Sequence, residues 1–216
     1  MYSEKLDGVR CLWTGKQLLT RKGHKLAPPD FFTRGFPNSA LDGELYLGRG
    51  KYNELLEGLK SKKEEFWMNL TYCVFDAPNL NLQFSQRYSL ISQIIPQLKT
   101  EFIRLIPHLP ARNMDNTKDV LKKIEEQNGE GIVLRNPRAL YEHKRSWGAL
   151  KFKSYQEFDG IVKSLDKDHT VVEWQGKEIK AATNLSKLTV GARVTVRYEK
   201  TLPDGSLHRP VAFRIC

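Results

Sequence analysis

Apolar and polar residues alternate in short runs along the first half of the chain. Val9-Arg10-Cys11-Leu12-Trp13 and Gln17-Leu18-Leu19-Thr20, separated by Thr14-Gly15-Lys16, predict a β-hairpin with a glycine-containing turn. Ala40-Leu41-Asp42-Gly43-Glu44-Leu45-Tyr46-Leu47 predicts a strand that carries two acids. The apolar run 70–76 predicts a buried strand stopped by Ala77-Pro78, and residues 130–135 and 150–153 predict two more. Helical spacing of Tyr52, Leu55, Leu56 and Leu59 predicts a helix over 51–60. Two further helices are expected over 87–98 and 117–127, the second with Asn116 as N-cap and Gly129 just past its end. Pro28, Pro29, Gly35 and Pro37 mark a loop.

Beyond Lys153 the texture changes. Short strand-like runs at 159–162, 170–174, 177–181, 193–198 and 211–214 lie between turn signals. That many short strands in so few residues predict a small β-barrel. The pattern therefore predicts an α+β chain of two domains, residues 1–156 and 157–216, with the boundary near 154–158.

Composition narrows the class. The chain has 216 residues, 40% of them hydrophobic and 28% charged, an ordinary globular mix. No apolar run approaches a membrane span, and no secretory signal pattern is present. Cys11, Cys73 and Cys216 are odd in number and scattered, so neither a disulfide framework nor a zinc pattern is indicated, and a reducing cytoplasm is favoured. The formal net charge is +10, of which residues 1–156 carry +8 and residues 157–216 carry +2. A positive field on the larger part suits a polyanion bound electrostatically, without sequence preference.

The candidate chemistry begins in the first ten residues. In Glu4-Lys5-Leu6-Asp7-Gly8-Val9-Arg10, an extended segment would put Lys5 and Asp7 on one face, and Gly8 would let the backbone turn or a ligand come close. A lysine at its reference pKa of about 10.4 is almost wholly protonated at neutral pH, so a nucleophilic one needs nearby cations or a metal. Each cluster also has an ordinary structural reading. Lys-x-Asp-Gly could end an exposed strand, Thr20-Arg21-Lys22-Gly23 could be a hairpin end, and Asp42-Gly43-Glu44 a turn. Phe75 could be a core residue, and Glu130 could form a surface ion pair with Lys151 or Lys153. Together they supply a lysine nucleophile, carboxylates for a divalent metal, and cations for developing phosphate charge, which nucleotidyl transfer requires. No Walker pattern is present, which argues against a P-loop NTPase.

In order and spacing these segments resemble the covalent nucleotidyltransferase superfamily of ATP-dependent DNA ligases, RNA ligases and mRNA capping enzymes. The likeness is closest to the minimal bacterial ATP-dependent DNA ligases of the ligase E type. Ser3-Glu4-Lys5-Leu6-Asp7-Gly8-Val9-Arg10, Leu41-Asp42-Gly43-Glu44-Leu45, Val74-Phe75-Asp76, Gly129-Glu130-Gly131-Ile132-Val133-Leu134-Arg135, Tyr141-Glu142 with Arg145-Ser146, and Leu150-Lys151-Phe152-Lys153 carry it. The resemblance implies an antiparallel-sheet nucleotidyltransferase domain followed by a small all-β OB-fold domain. It implies that Lys5 attacks the α-phosphate of ATP, that Glu44 holds the ribose, and that Phe75 stacks on adenine. It further implies that Glu130 helps hold Mg²⁺ or Mn²⁺, that Lys151 and Lys153 contact the α-phosphate, and that Arg10 and Arg21 bind ribose or the 5′-phosphate. Arg145 and Arg209 are expected at the DNA, and the implied partner is nicked double-stranded DNA met by a monomer.

Three features depart from the family pattern. Family members carry a segment upstream of the lysine beside the nucleotide pocket, whereas four residues precede Lys5 here. The expected compartment is the cytoplasm, or the periplasm if an N-terminal signal has been removed. The OB domain is short, and Arg209-Pro210-Val211-Ala212-Phe213-Arg214 places its second arginine one step early against the family's terminal Arg-Phe-Pro-x-Phe-x-Arg. An RNA ligase or capping-type enzyme, and a non-catalytic DNA-end-binding module of the same fold, are the competing readings. An NAD⁺-dependent ligase is disfavoured because that class carries an extra N-terminal domain.

Overall fold

Period-two alternation builds two sheets in the first part of the chain, and the side chains they present to opposite faces decide where core and chemistry lie. A computed structural model of the protein describes residues 1–61, 63–78, 81–144, 146–202 and 204–216. It divides into two units, Met1–Phe152 and Lys153–Cys216. In chain order the first unit contains β1 (Tyr2–Glu4), β2 (Val9–Trp13), β3 (Leu18–Thr20), α1 (Asp30–Thr33), β4 (Leu41–Tyr46), α2 (Tyr52–Ser61) and β5 (Thr71–Asp76). It continues through α3 (Phe84–Ile94), β6 (Ile103–Leu105), α4 (Met114–Glu126), β7 (Ile132–Arg135) and β8 (Ala149–Phe152).

The larger sheet has the order β3-β2-β4-β5-β6 and is antiparallel except for the β5/β6 pair. One face is apolar. Cys11 and Trp13 from β2, Leu41 and Leu45 from β4, and Tyr72 and Val74 from β5 pack with Phe32 of α1, Leu55 of α2 and Ile91 of α3. Burying a side chain of Leu or Phe size stabilises by about 1.5–3 kcal/mol. The one polar atom brought into this layer by Tyr72 is satisfied. Its hydroxyl accepts from the Trp13 N–H at 3.2 Å and lies 2.9 Å and 2.8 Å from the Cys11 and Leu41 carbonyls. The opposite face carries Arg10, Glu44 and Phe75, because each is one residue out of phase with the core positions. Asp42-Gly43-Glu44 is mid-strand rather than a turn. A Cβ on Gly43 would meet the Cys73 carbonyl and the Tyr72 ring at 2.8 Å, so only glycine lets these strands approach.

The smaller sheet, β1-β7-β8, is antiparallel, with Ser3 opposite Val133 and Val133 opposite Lys151. Several boundaries differ from the sequence expectation. The segment expected as a loop around Pro28 and Pro37 holds the single turn α1, which exists to bury Phe32. Helix α4 begins three residues earlier than expected. Asn113 is its N-cap, its side chain accepting the Asn116 N–H at 2.8 Å, so Asn116 donates to a cap instead of being one. At the other end Asn128 takes the left-handed conformation (φ 61°) and Gly129 follows it, its N–H bonding the Ile124 carbonyl at 2.8 Å.

The second unit is a closed barrel of β9 (Gln156–Leu165), β10 (His169–Trp174), β11 (Lys177–Thr183), β12 (Arg193–Tyr198) and, beyond a small β13–β14 ribbon (Lys200–Thr201 and Leu207–His208), β15 (Val211–Ile215). Its core is Phe158, Val162, Val172, Ala181, Val194, Val196, Tyr198 and Ala212, with Trp174 stacked on Phe158 at 4.4 Å. Register shifts at Val171/Val172 and Thr195/Val196 supply the bends that closure of so few strands demands. The α+β class with a five-stranded OB-like barrel is therefore as the sequence pattern predicts.

Candidate active site

Lys5 lies just past β1, where its N–H continues the ladder to the Gly131 carbonyl at 2.8 Å. It stands two residues on from Ser3, so it shares a sheet face with Val133 and Lys151. Its ammonium forms an ion pair with the Glu130 carboxylate, both side chains being largely buried. Glu130 does not open the strand as expected. It stands two residues before β7, and Gly131 at φ 133° turns the chain between them. That break in the pleat puts the carboxylate beside Lys5. Gly8 is required for a reason different from the expected turn or ligand approach. A Cβ there would meet the Leu45 carbonyl at 2.3 Å and the Glu44 Cγ at 2.7 Å, so the lysine segment crosses β4 in direct backbone contact.

Glu44 stands at that crossing, and its side chain makes no hydrogen bond among the described residues. Burial pushes its carboxyl up to about 8, against the lowering influence of Lys5 and Arg10. Above pH 4.5 the unfolded chain ionises this group while the folded chain resists, so its contribution to stability falls as pH rises to about 8. Glu44→Gln should therefore be more stable than the native chain by about 3 kcal/mol at pH 9 and nearly equal to it at pH 5. Urea melts at the two pH values check this, and equal midpoint differences at both would remove the buried acid.

Arg10 is held by Asp42 through two bonds of 3.0 and 2.6 Å, and the Tyr141 hydroxyl donates to the same carboxylate at 2.8 Å. Asp42 is 2% exposed. Its carboxylate hydrogen bond is the main reason the Arg10 guanidinium is held firmly protonated. Phe75 is not a core residue. The Arg135 guanidinium is 5.0 Å and that of Arg10 5.7 Å from its ring centre, so the flat ring has two cations near it. Arg135 is fixed in turn by Asp76 at 3.0 Å, and Asp76 receives two bonds from Arg87 of α3, at 2.7 and 3.0 Å. This Asp76–Arg87–Arg135 cluster ties β5, α3 and β7 together, with Arg135 at the Phe75 ring. The sequence reading did not assign Arg87 or Arg135 to the site. The only signal was Arg135 closing the otherwise apolar run Ile132-Val133-Leu134, and nothing comparable marks Arg87.

Lys5, Arg10, Glu44, Phe75 and Glu130 are thus brought together, with Lys151 on the same sheet face as Lys5. Arg21 is elsewhere in kind: it is exposed in the turn after β3, with no hydrogen bond or ion pair among the described residues. Lys153 and Arg209 belong to the second unit, where both bind Glu199, at 3.1 and 3.2 Å, and His208 Nδ1 lies 3.3 Å from the same carboxylate. Burial alone would raise the Glu199 carboxyl, but the Lys153 hydrogen bond and the Lys153 and Arg209 charges outweigh it and hold it low. Arg145 lies outside the described residues. Among the described residues no group of three or more His, Cys, Asp or Glu could hold a metal ion. A cation that keeps waters and takes one or two carboxylates plus substrate phosphates still fits Glu130, and that is the habit of Mg²⁺.

An α+β unit with two sheets joined to a closed five-stranded barrel is the architecture of DNA ligases of known structure. A Lig E DNA ligase superposes with a TM-score of 0.85 at 24% identity, over 100% of this chain and 91% of that one. The ATP-dependent DNA ligase of bacteriophage T7, solved with ATP, gives 0.59 at 16% identity, over 100% of this chain and 91% of that one. The ATP-dependent DNA ligase domain family matches residues 1–153, and the chain belongs to that family. A DNA ligase of Haemophilus influenzae is 41% identical over 152 residues, which are 70% of this chain and 57% of that protein. The chain therefore spans little more than half the length of that relative.

Proposed function

We propose that the protein is an ATP-dependent DNA ligase that seals nicks in duplex DNA as a monomer. The observation that carries this is the convergence of Lys5, Glu44, Phe75 and Glu130, from four separate segments, on one surface of the first unit. The chemistry runs in three displacements at phosphorus. The Lys5 amine, having lost a proton, attacks the α-phosphorus of ATP; an N–P bond forms, the bond to the bridging oxygen breaks, and pyrophosphate leaves. The 5′-phosphate at the nick then takes AMP from Lys5. The 3′-hydroxyl finally attacks that activated 5′-phosphate, and AMP departs.

This chain's side chains have distinct roles in the scheme. Phe75 offers its ring to adenine. Glu44 accepts ribose hydroxyls, which favours its ionised form on binding. Arg10, fixed by Asp42, presents a preorganised cation to ribose or phosphate, and Lys151 adds charge where the α-phosphate develops it. Lys153 and Arg209 are partnered with Glu199 within the second unit. A divalent ion, Mg²⁺ or Mn²⁺, held by Glu130 would neutralise phosphate charge. No helix among the described residues is long and apolar enough to cross a membrane.

The test is incubation with α-labelled ATP and Mg²⁺, a denaturing gel, then addition of nicked duplex. A labelled protein band that discharges as nicks close is expected. Labelling by GTP, or sealing of RNA alone, would move the chain to the RNA-ligase and capping branch. Absence of label would leave a DNA-end-binding module. Glu130→Gln keeps shape but removes charge, and should lower adenylation at least about 100-fold while shifting the Mg²⁺ requirement upward. A titration of labelling rate against Mg²⁺ measures both, and normal activity at low Mg²⁺ would leave Glu130 as the partner of Lys5 alone.

A further inference from the structure

The segment between β7 and β8 holds an aromatic side chain in the open. Trp147 is 90% exposed, the most exposed of the large apolar side chains described. The other tryptophans of the chain are sheltered: Trp13 and Trp67 are 5% exposed, and Trp174 stacks on Phe158. An open indole is costly in water, and here the backbone that presents it is tied down on both sides. The Asn136 N–H donates to the Gly148 carbonyl at 2.9 Å, and the Gly148 N–H donates to Ser146 Oγ at 3.0 Å. Ser146 Oγ in turn donates to Glu142 at 2.5 Å. Upstream, the Tyr141 hydroxyl is bonded to Asp42, the carboxylate that fixes Arg10. Tyr141 is therefore bonded into the active site, and Ser146 and Gly148 to Glu142 and Asn136, with the indole left outside the bonded framework.

Its surroundings select a polyanion with flat, apolar faces. Lys144, three residues before it, is exposed and 3.8 Å from Glu142, Lys151 follows four residues later on the face that carries Lys5, and the first 156 residues hold the charge balance of +8. An exposed aromatic with basic residues close to it in the chain is the usual composition of a surface that follows a phosphate backbone and packs an aromatic against a base or sugar. We propose that Trp147 is a DNA-docking residue, whose indole packs against a base or deoxyribose of the nicked duplex next to the site that takes its 5′-phosphate. This rests on the ligase reading for the identity of the DNA, and it adds a specific contact that electrostatics alone does not supply. Phosphate contacts tolerate many registers, whereas one stacked indole fixes one.

The experiment uses the full chain and a nicked duplex with blocked 3′ end, so that no turnover occurs. Acrylamide quenching of tryptophan fluorescence reads the exposed indole. In the free protein a readily quenched component is expected, absent from Trp147→Phe. Saturating nicked duplex should protect that component in the native chain. Trp147→Ala should weaken duplex affinity about 10- to 100-fold, and Trp147→Phe should stay within about 3-fold of the native chain. An unchanged quenching profile at saturating DNA overturns the proposal, as does a Trp147→Ala affinity within about 2-fold of native. Protection that grows with protein concentration and without DNA also overturns it, assigning the indole to a second copy. Failure of the ligase reading is seen separately, as the absence of ATP labelling in the native chain.

Discussion

Lys5→Ala should leave no acid-labile label on the protein after incubation with α-labelled ATP and Mg²⁺. The expectation follows from what the chain offers as nucleophile. Of the basic side chains around the site, Arg10 and Arg135 are guanidiniums tied to Asp42 and Asp76, and arginine stays protonated in proteins. Lys151 is exposed on β8, whereas Lys5 sits largely buried beside Glu130, Glu44 and the Gly8 crossing. Replacement by alanine removes the amine and leaves the backbone bond to Gly131, so the fold should persist. The same variant should still close a pre-adenylated nick slowly. In that step the 3′-hydroxyl is the nucleophile and AMP leaves, so no lysyl bond is made. Labelling of the alanine variant at the native level would end the assignment, and loss of both reactions with an unchanged melting curve would mean that Lys5 also positions the nick.

The second large effect is on stability. Arg87→Met should lower the free energy of unfolding by about 3–5 kcal/mol, because it strands a buried charge. Asp76 is 1% exposed and Arg87 is 2% exposed, so water cannot replace the two lost bonds. The Leu82 carbonyl also loses the guanidinium that it accepts from. Methionine keeps the length of the apolar stem, which confines the change to charge and hydrogen bonding. A urea melt should show a lower midpoint with an unchanged slope. Pairing it with Asp76→Leu gives a control: the double variant should be less destabilised than the sum of the two single ones, since the stranded charge is gone. A loss below about 1 kcal/mol in Arg87→Met would show that Arg135 and the Ala77 N–H satisfy Asp76 without it. The cluster also supports function. Asp76 holds Arg135 near Phe75, so ATP binding should weaken in Asp76→Leu even at temperatures where the fold is intact.

These two cases show different kinds of legibility. Lys5, Glu44 and Glu130 could be singled out from sequence because each lies in a local pattern, and the patterns together, in their order, carry the resemblance that Lys-x-Asp-Gly alone does not. The faces of β2 and β4 could be read for the same reason. Alternation is a property of neighbouring residues, and a strand with Leu41 and Leu45 inward must turn Asp42 and Glu44 outward. The barrel was announced by short strands between turns.

Tertiary structure decided what depends on residues far apart in the chain. The Lys5–Glu130 pair spans 125 positions, the Arg135–Asp76 bond spans 59, and nothing local to either end announces its partner. Strands β1 and β6 have three residues each, too few to show a period, and they form because β7 and β5 offer them unpaired backbone. The hydrogen bond that starts α4 at Asn113 rather than Asn116 depends on a backbone conformation that composition does not fix, since both residues are asparagines. Lys151 and Lys153 alternate identically in the sequence, yet one stays on the sheet of Lys5 and the other binds Glu199 in the barrel unit. The openness of Trp147 is of the same kind. Its residue type suggests a core, and only the bonds that hold the loop around it show that no core receives it.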